Sequence, residues 1–440
     1  MDKKALSLPI LVSLVIGNMI GTGIYILPAF LAQYGTLSLV SWVYTSLGAM
    51  LLALIFTRLN KRFPLTGGPY IYCRNAFGEL TGFIVACTYW IGCMASIAGV
   101  TIASVGYLGF IFPSLDANQA SYQPLTALIL ELIFVWLFTA INLIGIHTAG
   151  VVQLILTIIK LAPLLIITIL GISKIHPANL TYFLPQGVSH YTAISSGAAL
   201  TFWAFIGLES ATLPAENTQG YRHIYLATIF GTLVTALIYI ASTFVLMGIL
   251  PSSSLQQSQF PFAEAGILMF GADAAIIIAV CAVFSGLGTL NATILVQGQI
   301  IFAAARDHLF PKRFAVLTKH DVPFAAQLLS AIIVSILIIA TMQPKLLSQF
   351  NNIALLAATL ALITYLISAL AELKFILSAA SSFQRFLFQR ATVLTLLAIA
   401  YSIWMLASIT HIIILGCIII ILCCIPIYFL ITRMKHTHAN

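Results

Sequence analysis

Charge is what this chain has least of. Asp, Glu, Lys and Arg make up 7% of its 440 residues, apolar residues make up 61%, and mean hydropathy is +1.08. A soluble domain of this length cannot cover its surface with so few charges, so that class is excluded. Cysteines are few and unpatterned. Cys73 falls in a loop and Cys87, Cys93, Cys281, Cys417, Cys423 and Cys424 fall in apolar segments, with no metal-ligand spacing and no extracellular pair, so they read as buried, inert thiols. His147, His176, His190, His223, His308, His320 and His411 are scattered without metal or nucleophile spacing. A polytopic membrane enzyme therefore lacks a catalytic constellation and stands as a remote alternative. No segment resembles a selectivity filter, which disfavours a channel. No metal or cofactor is expected.

Long apolar runs are abundant. Stretches of at least eighteen apolar residues are candidates to span a bilayer. Twelve can be placed, at about 8–33, 36–57, 80–111, 124–143, 149–173, 192–214, 223–250, 271–305, 324–342, 351–377, 391–409 and 411–432. The expected fold class is an all-α polytopic membrane protein. Basic residues test the count independently. With the N-terminus inside, sixteen lie on the cytoplasmic side, among them Lys3, Lys4, Arg58, Arg62, Arg74, Arg306, Lys374, Arg385 and Lys435, against Lys174 and Lys345 on the other. That asymmetry obeys the positive-inside rule and predicts a multi-pass protein with both termini cytoplasmic. The +8 net charge then reflects topology and anionic lipid, and calls for no nucleic-acid partner. Met1-Asp2-Lys3-Lys4 precedes an apolar stretch too long for a secretory signal, with no small-residue cleavage site after it, so it reads as the start of the first span.

The first span contains Gly17, Gly21, Gly23 and Pro28 within twelve residues. Each Gly weakens a helix by roughly 1 kcal/mol and a Pro by about 3, so a break is predicted. Backbone groups freed in hydrocarbon must find protein or water, which makes the break a place for a ligand. Ile206-Gly207, five residues, then Leu213-Pro214-Ala215 repeats Ile20-Gly21, five residues, then Leu27-Pro28-Ala29 at an offset of 186. Paired interruptions in corresponding halves point to the binding site of a secondary transporter built from inverted repeats.

An unwound Gly21-Thr22-Gly23 strip, one turn after Asn18, would offer bare amides beside a helix N-terminus, which suit a carboxylate. In the second interruption, carbonyls near Ala204 to Ile206 could accept an ammonium, and the aromatics around Trp203 either cover a small ligand or pack against lipid. Glu209 follows one turn later. Helix 3 carries Tyr89, Trp90, Gly92 and Cys93, and helix 4 carries Glu131. Lys160 sits near the middle of helix 5, too deep to snorkel. It either serves proton coupling or gating or is a structural lysine bonded to carbonyls of an unwound helix. The Gly67-Gly68-Pro69 elbow is an inner gate or a tight turn. The stretch Pro251 to Phe270 is an outer lid or a connector. Helix 8 reads as polar along one stripe: Ser285, Asn291, Thr293, Gln297 and Gln299. Helix 10 carries Asn351, Asn352, Tyr365 and Glu372, and the last two helices flank a ten-helix core.

Gly17-Asn18-Met19-Ile20-Gly21-Thr22-Gly23-Ile24, Gly67-Gly68-Pro69-Tyr70-Ile71-Tyr72, Phe202 through Ser210, and Ala303-Ala304-Ala305-Arg306-Asp307-His308-Leu309-Phe310-Pro311 together resemble the amino acid-polyamine-organocation superfamily, closest to bacterial arginine/agmatine-type antiporters. The resemblance implies a leucine-transporter-like fold. Residues 1–173 would form the first five-helix repeat, 192–377 the inverted second, and 391–440 helices 11 and 12 with a cytoplasmic tail. It implies a secondary active amino acid transporter of the inner membrane, antiporter or proton-coupled permease, working by alternating access, with an arginine/agmatine or polyamine antiporter as the alternative, a small amino acid and the lipid bilayer as partners, and a homodimer left open. By that analogy Asn18, Ile20, Gly21, Thr22, Gly23, Trp203, Ala204, Ile206 and Thr293 bind substrate, and Lys160, Glu209 and Tyr89 serve gating or coupling. Where arginine/agmatine exchangers resemble one another in a helix 3 asparagine and a helix 8 tryptophan, this chain has Ile97 and Thr293, which puts arginine in doubt. Lys160 looks instead like the helix 5 lysine of proton-coupled members, linking helix 5 to helices 1 and 8 in the place of a sodium ion.

Overall fold

A computed structural model describes residues 5–117, 119–180, 184, 187–340, 346–379 and 390–438; of these, the side chains of 346–352 and 434–438 are left aside. Lys3, Lys4, Lys345 and Arg385 lie outside the described residues, as do the side chains of Asn351, Asn352 and Lys435. The described residues are helical, with one isolated bridge, Leu6 to Thr218, in place of any strand. The helices are α1 (Leu8–Met19), α2 (Gly23–Leu31), α3 (Leu37–Arg62), α4 (Pro69–Phe77), α5 (Glu79–Leu108), α6 (Pro124–Ile144), α7 (Ile146–Gly171), α8 (His190–Trp203), α9 (Tyr221–Ile249), α10 (Ser252–Gln257), α11 (Pro261–Phe270), α12 (Ala272–Arg306), α13 (Phe324–Ala340), α14 (Leu346–Ala379), α15 (Arg390–Ala407) and α16 (His411–His438).

Among the described residues, ten helical segments are long and apolar enough to cross a membrane. The two expected spans missing from that set are 192–214 and 324–342. The first becomes the 14-residue α8 followed by turns, and the second the 17-residue α13. Both interruptions fall inside apolar sequence. Residues 20–22 separate α1 from α2, and residues 204–209 form consecutive turns before short 3-10 stretches at Ser210–Thr212 and Ala215–Asn217. Pro28 does not make the first break: it lies inside α2, and Gly17 lies inside α1. The helix yields at the Gly21 side, where a missing Cβ exposes backbone, while Pro28 is carried within the first two turns of the helix that follows.

α5 and α12 run through the middle of the bundle. Ala95 to Tyr107 of α5 and Ser285 to Ala305 of α12 are buried almost without exception. Around them the outer faces of α6, α7 and α9 leave Leu125, Ile158, Ile169, Phe230 and Leu237 exposed, an apolar shell that suits hydrocarbon. α16 is the most peripheral span, with only 11% of its apolar window buried.

The basic end of the bundle is latched. Gly67 and Gly68 adopt φ of +121° and +47°, which glycine alone accepts cheaply. This turn aims α4 inward, burying Tyr70, Ile71 and Tyr72. Gly67 N donates to Leu213 O at 3.0 Å, and Glu216 N donates to Thr66 Oγ1 at 3.3 Å, so the elbow grips the chain beyond the second interruption. Arg306 at the end of α12 makes a two-pronged pair with Glu216 at 2.9 and 3.0 Å, and Arg74 meets Asp307 at 2.7 Å. Partial burial pushes the Glu216 carboxyl up, but the Arg306 guanidinium outweighs it and leaves the pKa below the ordinary 4.5. A depressed carboxyl contributes stability above its unfolded value and loses it as pH falls through its folded value. The latch is therefore expected to hold at neutral pH and loosen below about 4.5, seen as faster labelling of a Thr66→Cys variant. Unchanged labelling down to acid pH would assign the grip to the backbone bonds instead.

Candidate functional site

The carbonyls that α1 leaves behind build the first half of the site. The last four C=O groups of a helix have no partner within it. Unmet in an apolar surround, each costs on the order of a few kcal/mol. Side chains from three other helices supply the missing donors. Lys160 of α7, fully buried, donates its ammonium to Gly17 O at 2.8 Å and Ile20 O at 2.5 Å. Thr289 Oγ1 of α12 lies 2.9 Å from Gly17 O and 3.1 Å from Ile20 O, and Ser285, one turn earlier, donates to Gly21 O at 3.0 Å. The Tyr239 hydroxyl of α9 sits 2.7 Å from Met19 O and 3.0 Å from Ala204 O, so one side chain reaches both interruptions.

The two broken stretches touch directly as well. Asn18 Nδ2 donates to Ser210 Oγ at 2.7 Å, while Asn18 Oδ1 accepts from Thr293 Oγ1 at 2.7 Å. Gly207, at φ +102°, packs so closely on Asn18 that a Cβ there would stand 2.6 Å from Nδ2. The Trp203 ring lies flush on Gly23, where a Cβ would meet it at 1.9 Å. Each glycine is thus a close approach of backbone to a neighbouring side chain.

Where the segments cross, donors and acceptors separate. α2 begins at Gly23, so the Gly23 and Ile24 amides have no carbonyl one turn before them, whereas Tyr25 N already donates to Thr22 O at 3.0 Å, and the helix dipole is positive there. Thr22 Oγ1 beside them is buried and without a partner. On the opposite strip, Ile206 N takes Trp203 O, Leu208 N takes Phe205 O and Ser210 N takes Gly207 O, an alternation that leaves the carbonyls of Ala204 and Ile206 outside the backbone ladder. The amide end of α2, whose dipole favours an anion, therefore lies under the Trp203 ring, and the strip carrying those carbonyls follows Trp203 in the chain.

Glu209 and Tyr89 form a separate cluster. Tyr89 Oη donates to Glu209 Oε1 at 2.7 Å and Tyr365 Oη of α14 donates to Oε2, while Gly207 N donates to the same Tyr365 hydroxyl at 3.2 Å. The carboxylate is fully buried and clasped from α5 and α14, one turn beyond the crossing. Thr293 is spent on Asn18, and Ile97 is buried in the α5 core. The stripe expected on the eighth span, now α12, divides: Ser285 and Thr293 face the break, joined there by Thr289, whereas Asn291 faces α6 and α7. Sequence reasoning missed Tyr239, Thr289 and Ser210, and it named Ser285 and Tyr365 without their partners. The spacing of four between Ser285, Thr289 and Thr293 was the available signal, since it puts three hydroxyls on one helix face. Above the crossing, Tyr25, Tyr107, Phe260 and Phe262 stack at 5.1 to 5.8 Å, with α11 supplying the last of them. Among the described residues, no group of three or more His, Cys, Asp or Glu could hold a metal ion.

Comparison with known proteins adds to this geometry. The amino acid permease family matches residues 6–438. The putrescine transporter of Escherichia coli (strain K12) is 32% identical over 355 residues, covering 80% of this chain and 79% of the relative. The cadaverine/lysine antiporter of the same organism is 30% identical over 82% of this chain and 81% of its own length. A putative arginine/ornithine antiporter of Bacillus subtilis (strain 168) is 28% identical over 91% and 90%.

Proposed function

Since this chain belongs to the amino acid permease family, within the amino acid-polyamine-organocation superfamily, and is a secondary transporter rather than an enzyme, we propose that it carries a small α-amino acid by alternating access through the crossing of its two interrupted segments. The observation that carries the reading is the Tyr239 hydroxyl within reach of Met19 O and Ala204 O, which fixes the two breaks face to face. The substrate carboxylate sits at the Gly21-Thr22-Gly23 amides and the Thr22 hydroxyl. The substrate ammonium sits at the carbonyls of Ala204 and Ile206, and Trp203 covers both. Asn18, Ile20 and Thr293 act by holding the strips in place. Twelve spans cross a bacterial inner membrane with both termini cytoplasmic, 1–173 and 192–377 form inverted repeats, and 391–440 flanks them, with a homodimer as the assembly to test.

In this reading the latched basic end is the cytoplasmic gate and the Tyr25, Tyr107, Phe260 and Phe262 stack is the outer one. Glu209 with Tyr89 and Tyr365 forms a further barrier on the inner side of the crossing. Lys160 is the coupling group: protonated, it holds the α1 carbonyls, and on losing its proton it releases α1 to move. Proteoliposome uptake of labelled amino acids, with and without an imposed pH gradient, tests this. Accumulation driven by an acid exterior is expected, and exchange that needs internal substrate and ignores the gradient would overturn it. Trp203→Leu is expected to raise KM about tenfold, the equivalent of about 1.4 kcal/mol; unchanged affinity and rate would remove Trp203 from the site.

The name of one relative, a cadaverine/lysine antiporter, supports a second reading, exchange of a basic amino acid for a diamine. Preloading vesicles with putrescine or cadaverine separates the two, since only an exchanger speeds lysine or ornithine entry on that treatment.

A further inference from the structure

Behind Lys160, on the side away from the crossing, a line of buried polar side chains continues toward the cytoplasmic ends of α6 and α7. Thr157 Oγ1 and Gln153 Nε2 both reach Ser13 O, at 3.2 and 3.4 Å, and lie 3.3 Å from each other. Asn291 Nδ2 donates to Gln153 Oε1 at 2.9 Å and to Ala149 O at 3.0 Å. Asn142 Nδ2 in turn donates to Asn291 Oδ1 at 2.9 Å. None of the four is more than 4% exposed, and Asn142 Oδ1, the last atom of the line, is buried with no partner. Beyond it α6 ends at Ile144, the chain turns at Gly145 beside His320, and α7 begins next to His147.

Such a line is expensive. Single interhelical amide and hydroxyl bonds join membrane helices, but four such side chains in series ending on an unmet acceptor exceed what a joint requires, and polar groups at such depth mark substrate and proton paths. We infer that Thr157, Gln153, Asn291 and Asn142 line the route by which Lys160 exchanges its proton with the cytoplasm, separate from the path of the substrate. The inference rests on the reading of Lys160 as the coupling group. When an N–H bond of the ammonium breaks, the electron pair stays on Nζ and the proton passes to the oxygen of a water molecule admitted along this line. Asn142 Oδ1 is the open acceptor that receives that water from the cytoplasmic end. Amides do not themselves carry the proton; they orient the water that does. Around Lys160 the walls from α1 and α12 bring carbonyls and hydroxyls only, and the titratable neighbour is Tyr25, whose hydroxyl donates to Lys160 O at 3.1 Å.

The test compares two rates in proteoliposomes for Asn291→Leu, Gln153→Leu and the polar control Asn291→Ser: substrate exchange at equal pH, and uptake driven by a pH gradient. With the route blocked, exchange should stay within about twofold of the native rate while gradient-driven uptake falls at least tenfold, and Asn291→Ser should recover most of the loss. Parallel loss of both rates, or no loss of either, would overturn the route and leave the line a structural joint. A native protein that ignores the gradient altogether would instead overturn the coupling reading, and this route with it.

Discussion

Gly207→Ala should nearly abolish transport while leaving a folded protein. At φ +102° a residue with a Cβ pays about 1–3 kcal/mol in backbone strain, and the added methyl would stand 2.6 Å from Asn18 Nδ2, 2.7 Å from its Cγ and 2.8 Å from its Cβ. Asn18 cannot simply rotate away, because it donates to Ser210 and accepts from Thr293. The interruption must open by a few tenths of an ångström at least, displacing the Ala204 and Ile206 carbonyls to which the proposed ammonium binds. At about tenfold per 1.4 kcal/mol, uptake should drop by roughly one to two orders of magnitude. Adding Asn18→Ala to the variant removes the Nδ2 and Cγ contacts but leaves the 2.8 Å approach to Cβ and the strained φ, and it takes away the bonds to Ser210 and Thr293, so it should not restore the rate. Near-native uptake by Gly207→Ala, in protein that elutes as a single species, would mean that the close packing of the two strips is dispensable.

Gly207 also illustrates what sequence could reveal. A glycine inside an apolar helix, repeated at Gly21 in the other half, marks a break because its cost is local and additive. That logic located both interruptions. It misjudged Pro28, the sixth residue of α2, which the helix carries in its interior at the loss of one backbone bond to Ile24 O. Of what fills the first break, the Lys160 bonds to carbonyls of an unwound helix were one of the readings that sequence offered, whereas the hydroxyls were not legible, because they come from more than two hundred residues away. Tyr239 meets Met19 across 220 positions and Thr289 meets Gly17 across 272. Thr293 looked like a ligand contact by analogy, yet its hydroxyl bonds to Asn18, a pairing that neither residue's neighbours in sequence could announce. Glu209 was legible as a costly buried acid, whereas the second tyrosine that satisfies it, Tyr365, comes from α14. The general rule is physical: a group that must be satisfied can be named from sequence, but the group that satisfies it is chosen by the fold.

Lys160→Ala is the change with the widest consequence. The ammonium supplies Gly17 O and Ile20 O together. Without it the Thr289 hydroxyl, with a single proton to give, must choose between carbonyls 2.9 and 3.1 Å away. A buried acceptor left unmet costs about 1–3 kcal/mol, so α1 should loosen at its broken end, the thermal midpoint should fall, and uptake should be lost along with its response to the pH gradient. Alanine alone does not separate a coupling lysine from a structural one, and Lys160→Gln does. Glutamine can offer two N–H donors to the same carbonyls but binds no proton in the working range. If Lys160 couples transport to protons, Lys160→Gln recovers much of the thermal midpoint and some substrate exchange, yet accumulates nothing more when the exterior is made acidic. If Lys160 only braces the break, Lys160→Gln regains stability and gradient response together, and the coupling role assigned to this lysine falls.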